Sequence, residues 1–175
     1  MFLPVLFDCD ELEIMDYNRV IKDLNGYSEA EFIEKISEKF SVEVVGKNAY
    51  KPESAHTFGM LLGGKWYKLA AKDGTFNAAD PVEALDVSIL QNNLISPVLG
   101  INDPRTDKRI DFVGGIRGLG ELERRANEDM CLAFSMYPTT LKELMDIADA
   151  NQIMPPKSTW FEPKLLSGLF IHNLK

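Results

Sequence analysis

The chain has 175 residues, of which 45% are hydrophobic and 26% are charged. These fractions are typical of a packed globular protein, and a chain of this length can fold without a metal or disulfide staple. Its 12 glycines and 9 prolines are too few for a collagen or a disordered linker. Composition therefore excludes the fibrous and disordered classes and favours a single domain over residues 1–175.

The charge balance argues against polyanionic partners. There are 19 basic and 27 acidic residues, which gives a net charge of −8, whereas proteins that bind nucleic acids or anionic membranes usually present basic surfaces. We therefore expect neither partner. Cys9 and Cys131 lie in apolar stretches without C-x-x-C spacing, and we expect both thiols to be reduced and buried. With no apolar run of membrane-spanning length and no signal peptide, a cytoplasmic location is predicted.

The first predicted elements are two strands. Residues 2–7 form a short apolar run, acidic residues follow, and residues 12–14 resume an alternating pattern, which predicts a hairpin. A hydrophobic strand at the start of a chain usually needs a neighbour. We therefore expect this chain to be a piece of something longer.

A helix and a strand come next. Ser28 and Glu31 form the pattern of a capping box, in which each side chain accepts from the other residue's backbone amide. Apolar residues then recur at helical spacing, which predicts a helix over 29–39 and a strand over 42–45.

The clearest hairpin surrounds Gly63 and Gly64. Two apolar, aromatic-rich runs at 56–62 and 65–71 flank these glycines, and a two-residue turn between strands needs positive φ at both positions. Beyond it, Asp80, followed by proline and then Glu83, predicts a helix start.

The second half alternates strands and helices, with a strand–helix–strand crossover over 109–136. The predicted fold is a single α+β domain with about four helices and a mixed, largely antiparallel sheet. The remaining predicted elements are a strand at 110–113, a helix at 119–129, a strand at 131–136, a helix capped by Thr140, and a strand at 167–171.

The best candidate anion site is the segment GGIRGLG, which joins a predicted strand to a predicted helix. Glycines let the backbone approach a ligand, and a helix start offers free amides to an anion. The spacing matches neither the dinucleotide fingerprint nor the Walker loop, and a plain chain reversal with a solvated arginine is the alternative. The predicted ligand-binding residues here are Gly114, Gly115, Arg117, Gly118 and Gly120.

A second candidate lies in the proline-rich loop near residue 157. Lys157, Ser158 and Thr159 supply one cation and two hydroxyls, a set suited to phosphate. Trp160 and Phe161 could stack on a ring or seal the core. An ordered loop that merely covers the sheet is the alternative.

Candidates for proton transfer are few. His56 and His172 are the two histidines and have no partner at ligand spacing, so a zinc site is not expected. Glu83 is explained by capping, which leaves Asp86 without a local role. We predict His56 and Asp86 as catalytic residues, although a strand histidine is often structural, and His172 is expected to be structural or exposed.

Longer motifs resemble one family. HTFGMLLGGKWYKL at 56–69, DPVEALDVSILQ at 80–91, RIDFVGGIRG at 109–118, AFSMYPT at 133–139 and MPPKSTWFEPKLLSGLFIH at 154–172 occur in its order, as does DYNRVIKDLNG at 16–26. By these motifs the chain resembles the uncharacterised prokaryotic domain-of-unknown-function family numbered 1015.

The resemblance implies a longer protein. Members are about twice this length, and this chain looks like the C-terminal half. Their N-terminal half ends in an Asp-Gly-His-His-Arg motif similar to that of ParB-like nucleotide-binding proteins, whose relatives include nucleotide hydrolases and small-molecule kinases. This motif does not occur in the printed sequence, so the missing half, or a separate partner chain, would have to supply it.

Two hypotheses follow. The chain is the ligand-binding part of an enzyme acting on a nucleotide or phosphorylated small metabolite, with the cofactor unspecified. Alternatively, it is a non-enzymatic interaction or scaffold domain that uses Trp160 and Phe161, or an autonomously folding fragment. Homo-oligomerisation is left open.

Overall fold

The computed structural model describes residues 11–164. The strands in this range are β1 (Glu13–Met15), β2 (Tyr17–Ile21), β3 (Phe40–Gly46), β4 (Thr57–Leu62), β5 (Lys65–Ala71), β6 (Ile110–Gly114), β7 (Leu132–Ser135) and β8 (Trp160–Glu162). The α-helices are α1 (Glu29–Ser37), α2 (Asp86–Leu90), α3 (Gly118–Glu128) and α4 (Leu141–Asp149).

Six strands form the main sheet in the order β3-β5-β4-β7-β2-β6, and each neighbouring pair is antiparallel. β6 and β7 both run antiparallel to β2, which lies between them, so these two strands are parallel to each other. Helix α3 connects them, as the predicted crossover requires. β1 and β8 form a separate two-stranded antiparallel sheet. The predicted α+β class is confirmed.

Helices cover both faces of the main sheet. On one face, α1, α2 and α4 contribute buried side chains to the larger core, among them Phe32, Ile89 and Ile147. On the other face, Leu122 of α3 packs with Trp66 of β5 and smaller residues. Strand β2 contributes to both cores because its side chains alternate between the faces. None of the helices in residues 11–164 has the length and apolar character needed to cross a membrane.

Local signals set the ends of several elements as predicted. At α1, Ser28 and Glu31 hydrogen-bond to each other's backbone amides, and at α4 Thr140 and Glu143 do the same. Gly63 and Gly64 adopt φ of 56° and 70°, as a primed two-residue turn requires.

The predicted helix start near residue 80 is wrong. Asp80 does accept hydrogen bonds from the amides of Val82 and Glu83, but these residues form a turn. Leu85 is extended, with φ −65° and ψ 139°, which interrupts any helix before Asp86. From there α2 continues into a single π-helical turn, Gln91–Ile95.

Several predicted features differ in partner or lie outside the described range. The strand predicted at 12–14 is β1, and its partner is β8. Residues 2–7 and 167–171, Cys9 and His172 lie outside residues 11–164, so the predictions about them stay open.

Cys131 is a free thiol that is only half-buried, and partial burial raises its pKa.

Candidate functional site

Arg19 of β2 is a buried cation at the centre of the candidate site. It pairs in register with Phe112 of β6 and Phe134 of β7 and is 4% exposed. Its guanidinium donates to the main-chain carbonyls of Tyr17 and Lys157, the latter at 2.9 Å from Nη2. Burial lowers the pKa of Arg19 to about 10. Both hydrogen bonds go to neutral acceptors, so the charge is held in place without being neutralised by them.

A cavity of about 550 Å³ opens beside this arginine. Arg19 and Phe112 come from the sheet, Val87 and Ser88 come from α2, and a proline pair comes from the loop before β8. The guanidinium carbon lies 5.7 Å from the centre of the Phe112 ring. The cavity thus combines apolar side chains, the amide side chains of Gln91, Asn92 and Asn102, and one buried positive charge, a combination common in small-molecule sites.

The outer rim of the cavity carries a second arginine that is already paired. Arg105 donates from Nε and Nη2 to the two carboxylate oxygens of Asp103, both at 2.9 Å. These hydrogen bonds lower the pKa of Asp103 to about 2. Because this pair is exposed and internally neutral, Arg19 rather than Arg105 gives the cavity its positive character.

Asp86 is a buried carboxyl at the start of α2, and it is 8% exposed. Its Oδ1 accepts from the backbone amide of His56 at 2.7 Å, while Oδ2 has no hydrogen-bond partner among the side chains and backbone of residues 11–164. Burial raises the pKa of Asp86 to about 7, and the hydrogen bond from His56 and the charge of Arg19 oppose this increase. Asp86 therefore changes ionisation near neutral pH.

The two predicted catalytic residues, His56 and Asp86, lie in contact, but the contact uses the main chain of His56. His56 contacts Asp86 with its backbone amide, and its ring lies 4.6 Å from the ring of Phe76. The imidazole thus packs on an aromatic side chain. The contact between the two residues is therefore made by the side chain of Asp86 and the main chain of His56.

The loop containing residues 157–159 lies against Arg19. The main-chain carbonyl of Lys157 accepts a hydrogen bond from the Arg19 guanidinium. The side-chain Nζ of Lys157 lies 3.4 Å from the Tyr17 hydroxyl. Ser158 is buried, and its hydroxyl donates to the carbonyl of Pro155 at 2.5 Å, while Thr159 is half-buried. The loop therefore positions Arg19 and places one further cation nearby.

The glycine-rich segment is a continuous strand, 3-10 turn and helix. The amide of Gly115 donates to the carbonyl of Asp16 at 2.8 Å, and the amide of Gly118 donates to the carbonyl of Gly115. The side chain of Arg117 is 65% exposed and lies 3.7 Å from Glu121. Two of the amides predicted to face an anion are thus already bonded to main-chain oxygens, and the arginine faces solvent.

Close packing explains two of these glycines. A Cβ on Gly114 would lie 2.6 Å from the indole of Trp160, and one on Gly115 would lie 2.5 Å from Asp16. A Cβ on Gly120 would meet open space, and so would one on Gly118, although the φ of Gly118 is +68°. The first two positions therefore need glycine for contact with their own chain.

Tyr17 connects the two predicted binding segments. Its ring packs edge-on against Trp160 at 5.2 Å and against Phe112 at 5.6 Å. Tyr17 also pairs in register with Gly114, so the glycine segment and the loop at 157–160 meet at the start of β2. Sequence reasoning missed Arg19, Tyr17 and Phe112 as site residues; the available signal was an arginine directly before the apolar pair Val20 and Ile21.

No cluster of three or more histidine, cysteine, aspartate or glutamate side chains within residues 11–164 is arranged to hold a metal ion.

Residues 1–88 match the family described as Protein of unknown function (DUF1015). The comparison with curated proteins found no match. Among solved structures, a conserved hypothetical protein from Pyrococcus furiosus is similar, with a TM-score of 0.51, 19% identity, and coverage of 89% of this chain and 57% of that one. A free serine kinase in complex with AMP has a TM-score of 0.50 and 16% identity, with coverage of 87% of this chain and 55% of that one.

The E30A mutant of a free serine kinase, also in complex with AMP, has a TM-score of 0.50, 15% identity and the same coverage. At these identities the likeness shows the fold alone. This chain spans a little over half the length of these proteins.

Proposed function

The chain belongs to the family described as Protein of unknown function (DUF1015), and we propose that it is the ligand-binding part of an enzyme acting on a nucleotide or phosphorylated small metabolite. Its ligand would lie in the cavity beside Arg19, with the anionic group on the guanidinium. We also propose that the longer protein is a small-molecule kinase or a nucleotide hydrolase, and that its other half is ParB-like.

One observation carries this proposal: a buried guanidinium lines a cavity of about 550 Å³. A guanidinium can donate two parallel hydrogen bonds to a phosphate or carboxylate, and such charge-assisted bonds strengthen away from water. The cavity volume falls within the range of small-molecule sites, roughly 300–1,000 Å³. Phe112 and the proline pair provide apolar walls for the uncharged part of a ligand.

The fold likeness supports a nucleotide as the first ligand to test. Two of the similar structures are described as complexes of a free serine kinase with AMP. Lys157 adds a cation beside the rings of Tyr17 and Phe112, at 5.7 Å and 5.6 Å from their centres. In this proposal Lys157 attracts the anion, Arg19 binds it, and Asp86 is the titrating group nearby.

The experiment separates the Arg19 cavity from the glycine segment. Isothermal titration calorimetry would measure binding of AMP, ADP, ATP, CTP and phosphoserine to the wild type, to Arg19→Gln and to Arg117→Gln. Loss of a hydrogen bond to a charged group costs about 1.5–3 kcal/mol, so we expect roughly ten- to hundredfold weaker binding for Arg19→Gln. Because Arg117 is exposed, Arg117→Gln is the matched control.

The outcomes distinguish the hypotheses. Weak binding in Arg117→Gln with unchanged binding in Arg19→Gln would move the site to the glycine segment. No binding of any ligand by the wild type would overturn the nucleotide or phosphometabolite proposal. Self-association measured by light scattering that disappears in Trp160→Ala would then favour the scaffold alternative.

A further inference from the structure

Resting on the proposed function, we propose that Asp86 is a positioning residue that acts through Arg19, so that binding of an anion in the cavity is coupled to uptake of a proton by Asp86. The site binds the anion most tightly when Asp86 is protonated, and Asp86 does not itself contact the ligand.

Asp86 directly precedes a part of the cavity wall, and Arg19 belongs to the same wall. Asp86 begins α2, and the two residues after it, Val87 and Ser88, line the cavity together with Arg19. The Asp86 and Arg19 residues are both more than nine-tenths buried. Opposite charges attract more strongly inside a protein than in water, so ionised Asp86 partly compensates Arg19.

The surroundings of Asp86 leave one oxygen available for a proton. The backbone amide of His56, which precedes β4, fixes Oδ1. Oδ2 accepts no hydrogen bond from any group in residues 11–164. A protonated carboxyl can therefore form at Oδ2 without breaking the bond that holds the side chain.

Three neighbours set the charge balance at this carboxyl. Arg19 on β2 favours the ionised form, as does the amide of His56, whereas Glu143 in the first turn of α4 disfavours it by repulsion. Burial outweighs these effects and brings the pKa of Asp86 to about 7. A negative charge placed beside Arg19 is then enough to change the ionisation of Asp86 at neutral pH.

Thermodynamic linkage gives the sign of the effect. An anion bound to Arg19 weakens the attraction that stabilises ionised Asp86, so its pKa rises and a proton is taken up. By reciprocity, protonated Asp86 leaves Arg19 uncompensated and the anion binds more tightly. A shift of one pKa unit corresponds to about tenfold in affinity. We expect binding roughly three- to tenfold tighter at pH 6 than at pH 8 because of Asp86.

The first test compares the wild type with Asp86→Asn, which keeps an oxygen for the His56 amide but cannot titrate. Calorimetry of AMP binding in buffers of different ionisation enthalpy measures the protons taken up on binding. The AMP phosphate titrates in this range too, with a second pKa of about 6, but equally for both proteins. We expect the wild type to take up more protons than Asp86→Asn. Equal uptake would overturn the proposal.

The second test needs no ligand. Carboxyl carbon NMR would give the titration midpoint of Asp86 in the wild type and in Arg19→Gln. We expect a higher midpoint in Arg19→Gln because the favourable charge is gone. Arg19→Met, whose apolar side chain suits the phenylalanine neighbours, is a second variant with the same expectation. An unchanged midpoint would overturn the coupling.

The two tests separate this inference from the proposed function. A midpoint that moves in the Arg19 variants while none of the five ligands binds the wild type supports the interaction between Arg19 and Asp86 and refutes the proposed function. Binding of AMP with no movement of the midpoint supports the site and refutes the coupling.

Discussion

Replacing Asp86 with asparagine should stabilise the protein, and the gain should grow as pH rises. The carboxyl is buried, with one oxygen held by the His56 amide and the other unpaired within residues 11–164. Ionisation therefore costs free energy in the folded state that it does not cost in the unfolded chain. Asparagine keeps the acceptor oxygen and removes the charge.

The magnitude follows from the pKa difference. Folding raises the pKa of Asp86 from 3.8 to about 7. A group with a raised carboxyl pKa contributes stability that is present below the unfolded value and is lost as pH rises toward the folded value. Each pKa unit corresponds to about 1.4 kcal/mol. Between pH 4.5 and 7.5, the wild type should lose about 2–3 kcal/mol relative to Asp86→Asn.

Urea unfolding of both proteins at half-unit steps of pH would measure this difference. Asp80→Asn is a control of opposite sign, because backbone hydrogen bonds lower the pKa of Asp80, so its carboxylate contributes stability that is lost as pH falls. A difference between wild type and Asp86→Asn that stays constant from pH 4.5 to 7.5 would refute the reasoning, since Asp86 would then titrate as an ordinary surface carboxyl.

Two further predictions concern packing and capping. Gly114→Ala should cost about 1–3 kcal/mol and change tryptophan fluorescence, because the new Cβ would overlap the Trp160 indole; a silent Gly114→Ala would contradict the packing explanation. Gly64→Ala meets no atom within 4 Å and should cost only the roughly 1–2 kcal/mol of a positive φ. Ser28→Ala and Thr140→Ala should each cost about 1 kcal/mol in urea unfolding, because each breaks a capping box; no loss in either would mean that water replaces the cap.

The parts of the fold that could be predicted from the sequence are those set by residues close together in the chain. The capping boxes and the paired glycines at 63–64 act within four residues, so their sequence patterns are sufficient. Strand β2 was missed because its polar residues are satisfied from afar: Asn18 accepts from the amide of Met136, 118 residues away. At residue 80 the capping hydrogen bonds form, yet the extended Leu85 delays the helix until Asp86. A cap specifies a hydrogen-bonded turn, whereas continuation depends on packing beyond it.

The candidate site shows the same limit. Glycine permits close approach of any atom, so the pattern that predicts a ligand at residues 114 and 115 equally suits the indole of Trp160 and the main chain of Asp16, which lie there. Arg19 carries no comparable motif, because its surroundings come from strand order: β6 and β7 flank β2 and bring Phe112 and Phe134 alongside it. Burial of that charge is a property of three strands far apart in the chain. A charged residue directly before two buried apolar residues, here Val20 and Ile21, is thus the signal to examine once the order of the strands is known.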